Sequence, residues 1–323
     1  MNTSTPEDLR KEAAAFDAQI LERVRNGHIP DLRRSGRCEY FYNNVWRDQF
    51  FTNLYFGELV KRVVKEVKTC LAGQHEPLKL LEVGCGPGHV SLELARNGFD
   101  VTGLDISNAC IDIARQFAEE DPWKNQRSSL KYVKDDFLNH NGTYHVVLFT
   151  ASLHHFPQCK RIIKHTAEIL KDWGLIIADE PIKDQVSERN AAIILLIKGL
   201  LSAGGSYYEQ LDIPTSKLEM EKICLKINLK ESYREPNGEN VQSIHDNVAG
   251  FEEMHTELKA EFEEIKFEKH HALFHQLIGG VRLDSIEDER KMALFLKQMD
   301  EMLCRLNAID PTNFYFVGRK SIK

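Results

Sequence analysis

At 323 residues, 42% of them hydrophobic, the chain is long enough to bury a full core, and one elaborated domain is as consistent with it as two. A net charge of −7 argues against a general binder of nucleic acid or of anionic membranes. The seven cysteines (Cys38, Cys70, Cys85, Cys110, Cys159, Cys224, Cys304) are scattered with no C-x-x-C pair, so they read as reduced thiols in a cytoplasmic enzyme, not as a disulfide framework or zinc site.

The first residues, Met1 to Arg10, are polar and lack the apolar core of a secretory signal. Thr5-Pro6-Glu7 is a helix start, with Thr5 as cap and Pro6 in the first turn. Leu9, Ala13, Phe16, Ile20 and Val24 then give one apolar face, and Asn26-Gly27 stops the helix. The segment from Glu39 to Arg47 is dense in aromatics with polar tips. It has two readings: a cap that brings Tyr42, Trp46 and Arg47 to a substrate, or ordinary packing of an N-terminal extension. A second helix is predicted from about Trp46 to Thr69.

Next comes the most informative stretch. Leu80 to Val83 reads as a short strand, Gly84, Gly86 and Gly88 alternate after it, and an amphipathic helix follows. A strand turning sharply into a helix gathers backbone N–H groups and a positive helix end at one point. Asp100 to Leu104 is a second strand ending in Asp105, an acid placed to accept hydrogen bonds from a ribose. The spacing is G-x-G-x-G behind Glu82, not the G-x-G-x-x-G of a dinucleotide fold, which disfavours a nicotinamide-linked oxidoreductase. Lys131 to Phe137 reads as a third strand ending in Asp135-Asp136-Phe137, and His145 to Phe149 as a buried fourth leading into Thr150-Ala151-Ser152-Leu153-His154-His155. Cys159 to Leu170 has helical spacing, and Trp173 to Glu180 reads as a fifth strand.

Over residues 78–181 this order resembles the class I methyltransferases that depend on S-adenosylmethionine (SAM). Asp135 departs from the glycine that family often carries before Asp-Phe. The resemblance implies an α/β fold: a doubly wound, seven-stranded, mostly parallel sheet with an antiparallel last strand, an N-terminal helical cap and an insertion after strand five. It also implies SAM as cofactor, held by Glu82, Gly84, Cys85, Gly86, Gly88, Asp105, Ile106, Asp136, Phe137, Thr150 and Ala151. The expected organisation is a cap over 1–76, a SAM-binding core over 77–183, an insertion over 184–255 and completion of the sheet over 256–323.

The insertion is too long for a simple connection. It contains an apolar helix from Asn190 to Ser202, the turn Gly204-Gly205 and the pair Tyr207-Tyr208. Loops beyond the carboxyl ends of such strands bind ligands, so this segment, with Tyr207, is expected to cover the substrate; the other reading is a homodimer contact. No apolar run is long enough to span a bilayer. Beyond it, Phe251 to Phe262 and Ile286 to Leu306 read as helices, and Ile265 to His270 and Asn313 to Gly318 as closing strands.

Transfer of a sulfonium methyl is largely a matter of positioning, helped for a hydroxyl acceptor by a base. His154 and Glu180, at the ends of strands four and five, are the candidate catalytic groups; His155 is placed with the substrate or as a brace for the next helix. His270, His271 and His275 form a second imidazole cluster without nearby acids, and no metal site is expected. The strand-four end lacks the N/D-P-P-Y/F pattern of nucleic-acid or glutamine methyltransferases and the acids of the metal-dependent catechol type. What remains is metal-independent O-methylation of a small molecule, with N- or C-methylation, or a non-catalytic partner protein on the same fold, as alternatives.

Overall fold

The computed structural model describes residues 5–38, 40–73 and 76–321. Short runs of branched and aromatic side chains form its sheet: β1 (Lys79–Val83), β2 (Asp100–Asp105), β3 (Leu130–Lys134), β4 (Tyr144–Thr150), β5 (Leu170–Pro181), β6 (Glu263–His270) and β7 (Asn313–Arg319). Their order is β3-β2-β1-β4-β5-β7-β6. The first five are parallel, with Leu81 opposite Thr102 on one side and Val147 on the other. β7 runs antiparallel between β5 and β6, pairing Phe316 with Ala178 and Phe267. This is the seven-stranded arrangement the resemblance implied.

Eleven α-helices are described: α1 (Pro6–Arg25), α2 (Gln49–Thr52), α3 (Glu58–Cys70), α4 (His89–Arg96), α5 (Asn108–Glu119), α6 (Cys159–Ile169), α7 (Glu188–Ala203), α8 (Lys217–Glu231), α9 (Phe251–Glu261), α10 (Phe274–Leu277) and α11 (Ile286–Arg305). Parallel strands covered on both faces lose their alternation, and the side chains of Val146 to Phe149 are all buried. Leu80, Val146, Leu148 and Ile177 pack with Val60, Val63 and Val67 of α3, while Leu81, Val147, Phe149 and Ile176 pack with Ile162 of α6 and Met254 of α9. α1 lies on α5: Ile20 joins Cys110, Ile113 and Phe117, and Asp17 accepts from Ser107 Oγ (2.5 Å) and Ala109 N (2.9 Å). The helix start is a capping box between Thr5 and Asp8. The seven cysteines are free, and among the described residues no helix is long and apolar enough to cross a membrane.

Two expectations change. The single helix from Trp46 to Thr69 is broken: a 3-10 turn at Val45–Arg47 ends at Asp48, whose carboxylate caps α2, and a π-turn at Asn53–Gly57 joins α2 to α3. The capping oxygen, accepting from Phe50 and Phe51 N–H, restarts the helix. Within the insertion, α8 was missed because none of its residues is buried and its apolar side chains Leu218, Met220 and Leu225 are exposed. Its signal was the capping box of Ser216 and Glu219.

Candidate active site

A cavity of about 260 Å³ opens at the carboxyl ends of β1, β2 and β4. Its floor comes from the glycine turn. Gly84 and Gly86 have φ of +70° and +51°; with no Cβ they adopt that left-handed backbone freely. A Cβ on Gly84 would lie 2.6 Å from Ser152 Cβ, whereas one on Gly86 would meet no atom within 4 Å and would project into open space. Gly86 is therefore where a ligand can approach the backbone. Asp105 closes the turn, accepting from Gly86 N through Oδ2 and from Ser107 N through Oδ1, both at 2.8 Å. Each oxygen keeps a lone pair for a ribose hydroxyl. Burial raises the pKa of Asp105 against these N–H donors.

Of the residues expected to hold the cofactor, Gly84, Gly86, Asp105, Ile106, Asp136, Phe137 and Ala151 lie on the cavity wall. Ala151 has φ of +47°, uncommon for a residue with a side chain. Glu82, Cys85, Gly88 and Thr150 stand behind the wall. Glu82 accepts hydrogen bonds from Ser91 Oγ and Thr150 Oγ1, and burial pushes its carboxyl up to about 7. Gly88 is required by packing, since Tyr132 crosses it and donates to its carbonyl at 2.8 Å. Cys85 is buried in the small cluster with Ile111 and Tyr132. These four support the turn and do not face the space.

Neither candidate catalytic group lines the cavity. Glu180 is fully buried; its Oε1 accepts from Ser152 N and Leu153 N, both at 2.9 Å, and its Oε2 meets His154 Nδ1 at 2.7 Å. Burial raises this carboxyl to about 8 and keeps His154 neutral. Glu180 fixes the turn after β4, and His154 points away from the cavity, toward Asp246. The neighbouring His155 lies on the wall, its Nδ1 3.1 Å from Glu12 Oε1 of α1. The two rings lie 4.2 Å apart, yet only His155 lines the cavity, and sequence does not say which of two adjacent histidines does so.

Phe41, Val45, Trp46 and Arg47 of the aromatic segment are buried. Glu39 lies outside the described residues. Trp46 is enclosed by His28, Phe41, Phe56 and His89. Arg47 pairs in the interior with Glu289 of α11 and donates to Val281 O at 2.7 Å. Tyr42 packs against Tyr208 with the ring planes tilted by 58° and lies beneath the Arg282 guanidinium, and Tyr207 is buried over Gly280. None of Tyr42, Trp46, Arg47 or Tyr207 lines the cavity.

The wall instead includes Leu9, Glu12 and Phe16 of α1 and Gln242 and His245 of the insertion. The positions of Leu9, Glu12 and Phe16 share one helix face, a signal that was legible as amphipathicity but not as ligand contact. Gln242 and His245 carried no sequence signal. Glu12 ties the parts together: its carboxylate accepts from Ser243 Oγ (2.7 Å) and His245 N (3.0 Å) besides facing His155. His154, His155 and Asp246 also come together, each offering a possible ligand atom within 4.8 Å of the others. The imidazoles at 270, 271 and 275 form no such group; His270 Nε2 is bonded to Asp179 Oδ1 at 2.7 Å.

Residues 55–210 match the family model described as a methyltransferase domain. A ubiquinone biosynthesis O-methyltransferase of Coxiella burnetii is 32% identical over 112 residues, 34% of this chain and 44% of that protein. One from Shewanella pealeana is 33% identical over 102 residues, 30% of this chain and 41% of its own. The chain thus aligns over less than half the length of these curated relatives. The structure of the 4+2 cyclase SpnF superposes over 99% of this chain and 98% of its own with a TM-score of 0.51 at 15% identity, a likeness of fold alone.

Proposed function

We propose that the chain, whose residues 55–210 match a methyltransferase domain, is a class I SAM-dependent methyltransferase that methylates a hydroxyl oxygen of a small molecule held in the cavity beneath α1. One observation carries this reading. The same cavity is walled on one side by Gly84, Gly86, Asp105 and Asp136 and on the other by Phe16, Gln242 and His245. The first side suits the cofactor, with the ribose on Asp105, the adenine beside Asp136 and the methionine end over Gly86. The second suits the acceptor: an imidazole and an amide, set among apolar side chains, hydrogen-bond a hydroxyl and orient it. The curated relatives named as O-methyltransferases favour oxygen over nitrogen or carbon.

When bound, SAM supplies a sulfonium-borne methyl, already activated as an electrophile. The protein's contribution is to align the acceptor oxygen, hold it at reacting distance and exclude water. Phe16, Phe137, Phe156 and Ile162 supply the dry part of the wall. No metal is assigned to the transfer step. The cavity is about 260 Å³, just below the ~300–1,000 Å³ typical of ligand sites.

The test is incubation with SAM and a panel of hydroxylated and amine metabolites, reading S-adenosylhomocysteine and the mass gain of one methyl replacing one hydrogen. Methylation of hydroxyl compounds is expected. Turnover with amines alone would overturn the choice of oxygen.

A further inference from the structure

Behind the cavity wall, three elements meet around an unsatisfied charge. His154 and His155 form the turn after β4, their rings 4.2 Å apart. Asp246 arrives from the return of the insertion and is 1% exposed, yet neither carboxylate oxygen has a hydrogen-bond partner among the described residues. Its Oδ1 lies 3.6 Å from His154 Nε2, too far for a hydrogen bond. An unpaired buried carboxylate is costly, so natural interiors pair it or give it a metal ion. The nearby ammonium of Lys183 does not pair with it among the described residues and sits over the Tyr233 ring, 3.1 Å from its centre.

The two imidazoles are arranged as metal ligands usually are. Each has Nδ1 tied to a carboxylate: His154 to Glu180 at 2.7 Å, His155 to Glu12 at 3.1 Å. Such a carboxylate–imidazole pair fixes the ring, and at His154 it leaves Nε2, the atom facing Asp246 Oδ1, as the ligand atom. The ligand atoms, within 4.8 Å of one another, need draw in only to about 3.3 Å, the separation set by tetrahedral bonds of ~2.0–2.1 Å. Two imidazoles and one carboxylate suit a divalent first-row transition ion rather than calcium or magnesium.

We propose that His154, His155 and Asp246 bind a divalent transition cation of the zinc class, and that this ion fastens the return of the insertion to the end of β4 beside the cavity. Existing contacts already bring that return to the same place: Ala249 N donates to His154 O at 3.2 Å, and Ser243 Oγ to Glu12 at 2.7 Å. The ion replaces the missing partner of Asp246 and joins α1, the β4 turn and the insertion through one centre. Its role is to hold the wall on which His155 lies; it takes no part in breaking the bond to sulfur.

The test uses tag-free full-length protein, stripped with chelator and titrated with zinc chloride and, separately, cobalt chloride, in the absence of SAM. One equivalent of zinc should bind with a Kd below about 1 μM, the thermal transition should rise by mass action, and cobalt should give visible absorption of a low-coordinate nitrogen–oxygen site. Asp246→Asn and His154→Ala should each weaken zinc at least ~10-fold, as expected for loss of a ligand. Zinc should also slow proteolysis within residues 243–249. Absence of stoichiometric binding, or unchanged affinity in a folded Asp246→Asn protein, overturns the proposal. The cobalt spectrum of the unaltered protein decides the question even where a variant does not fold. Because SAM is absent throughout, failure here leaves the methyltransferase reading untouched, and failure of that reading leaves this one standing.

Discussion

Replacing Gly86 by alanine puts one methyl group into the cavity without disturbing the protein around it. An ideal Cβ there meets no heavy atom within 4 Å, so the cost to folding is that of an L-residue at φ +51°, about 1–2 kcal/mol. Gly88→Ala is the matched control. Its φ of +80° carries the same strain, but the new Cβ overlaps the phenol of Tyr132, adding an overpacking cost of about 1–3 kcal/mol. Scanning calorimetry should therefore show a Tm loss of a few degrees for Gly86→Ala and a loss roughly twice as large for Gly88→Ala. Affinity for SAM should fall in the opposite order. The methyl at position 86 occupies space the ligand needs, and displacing it by part of a van der Waals radius costs about 1.4–2.8 kcal/mol, or about 10–100-fold in Kd. Gly88 is not on the wall, so its folded variant should bind within about threefold of the parent. Titration calorimetry checks both. Equal SAM affinity in Gly86→Ala and the parent, or weaker binding in Gly88→Ala than in Gly86→Ala, would refute the placement of the cofactor over Gly86.

Glu82 has a folded-state pKa of about 7 against an ordinary 4.5, because it is buried; its stabilising effect is complete below pH ~4.5 and is lost as pH rises to ~7, by about 3 kcal/mol in all. Denaturant titrations of Glu82→Gln, whose amide keeps both hydroxyl partners, should show that slope removed; an identical slope in both proteins would contradict the assignment. Glu289→Ala leaves the Arg47 cation buried without its partner and should cost about 3–5 kcal/mol of stability, with the KM for acceptor unchanged in the folded fraction; a raised KM at full stability would return Arg47 to the substrate. His245→Ala should raise the acceptor KM about 10-fold or more while SAM affinity changes little, as for loss of a ground-state contact. Equal loss of SAM affinity would place His245 with the cofactor instead.

The glycine turn and the acid at Asp105 were legible in the sequence because their chemistry is local. A strand must turn sharply into a helix there, only glycine fits at positive φ, and all the participants lie within about one βαβ unit. The seven strands were legible too, since sustained apolar runs between turns have few alternatives. The strand-end pair His154 and His155 was visible as a pair, but their division of labour was not. Glu180, bonded to three successive backbone N–H groups with His154 among them, draws one ring inward and leaves the other to Glu12 and the cavity.

Amphipathic aromatics in the segment from Tyr40 to Arg47 suit a ligand and a core equally well; contacts to Glu289 of α11 and to Val281 in the turn before it draw Arg47 into the core, where Phe41 and Trp46 are also buried. The rest of the cavity wall was beyond sequence reading. It is assembled from α1, the β4 turn and the return of the insertion, which no local spacing links. The same distance hid the ligand set of His154, His155 and Asp246. By itself the sequence determined the sheet and the glycine turn after β1, because hydrophobic periodicity and backbone permissiveness act over a few residues. Tertiary structure alone decided which side chains face the space and which support it, because a buried group is placed by partners from other elements that satisfy its hydrogen bonds and charge.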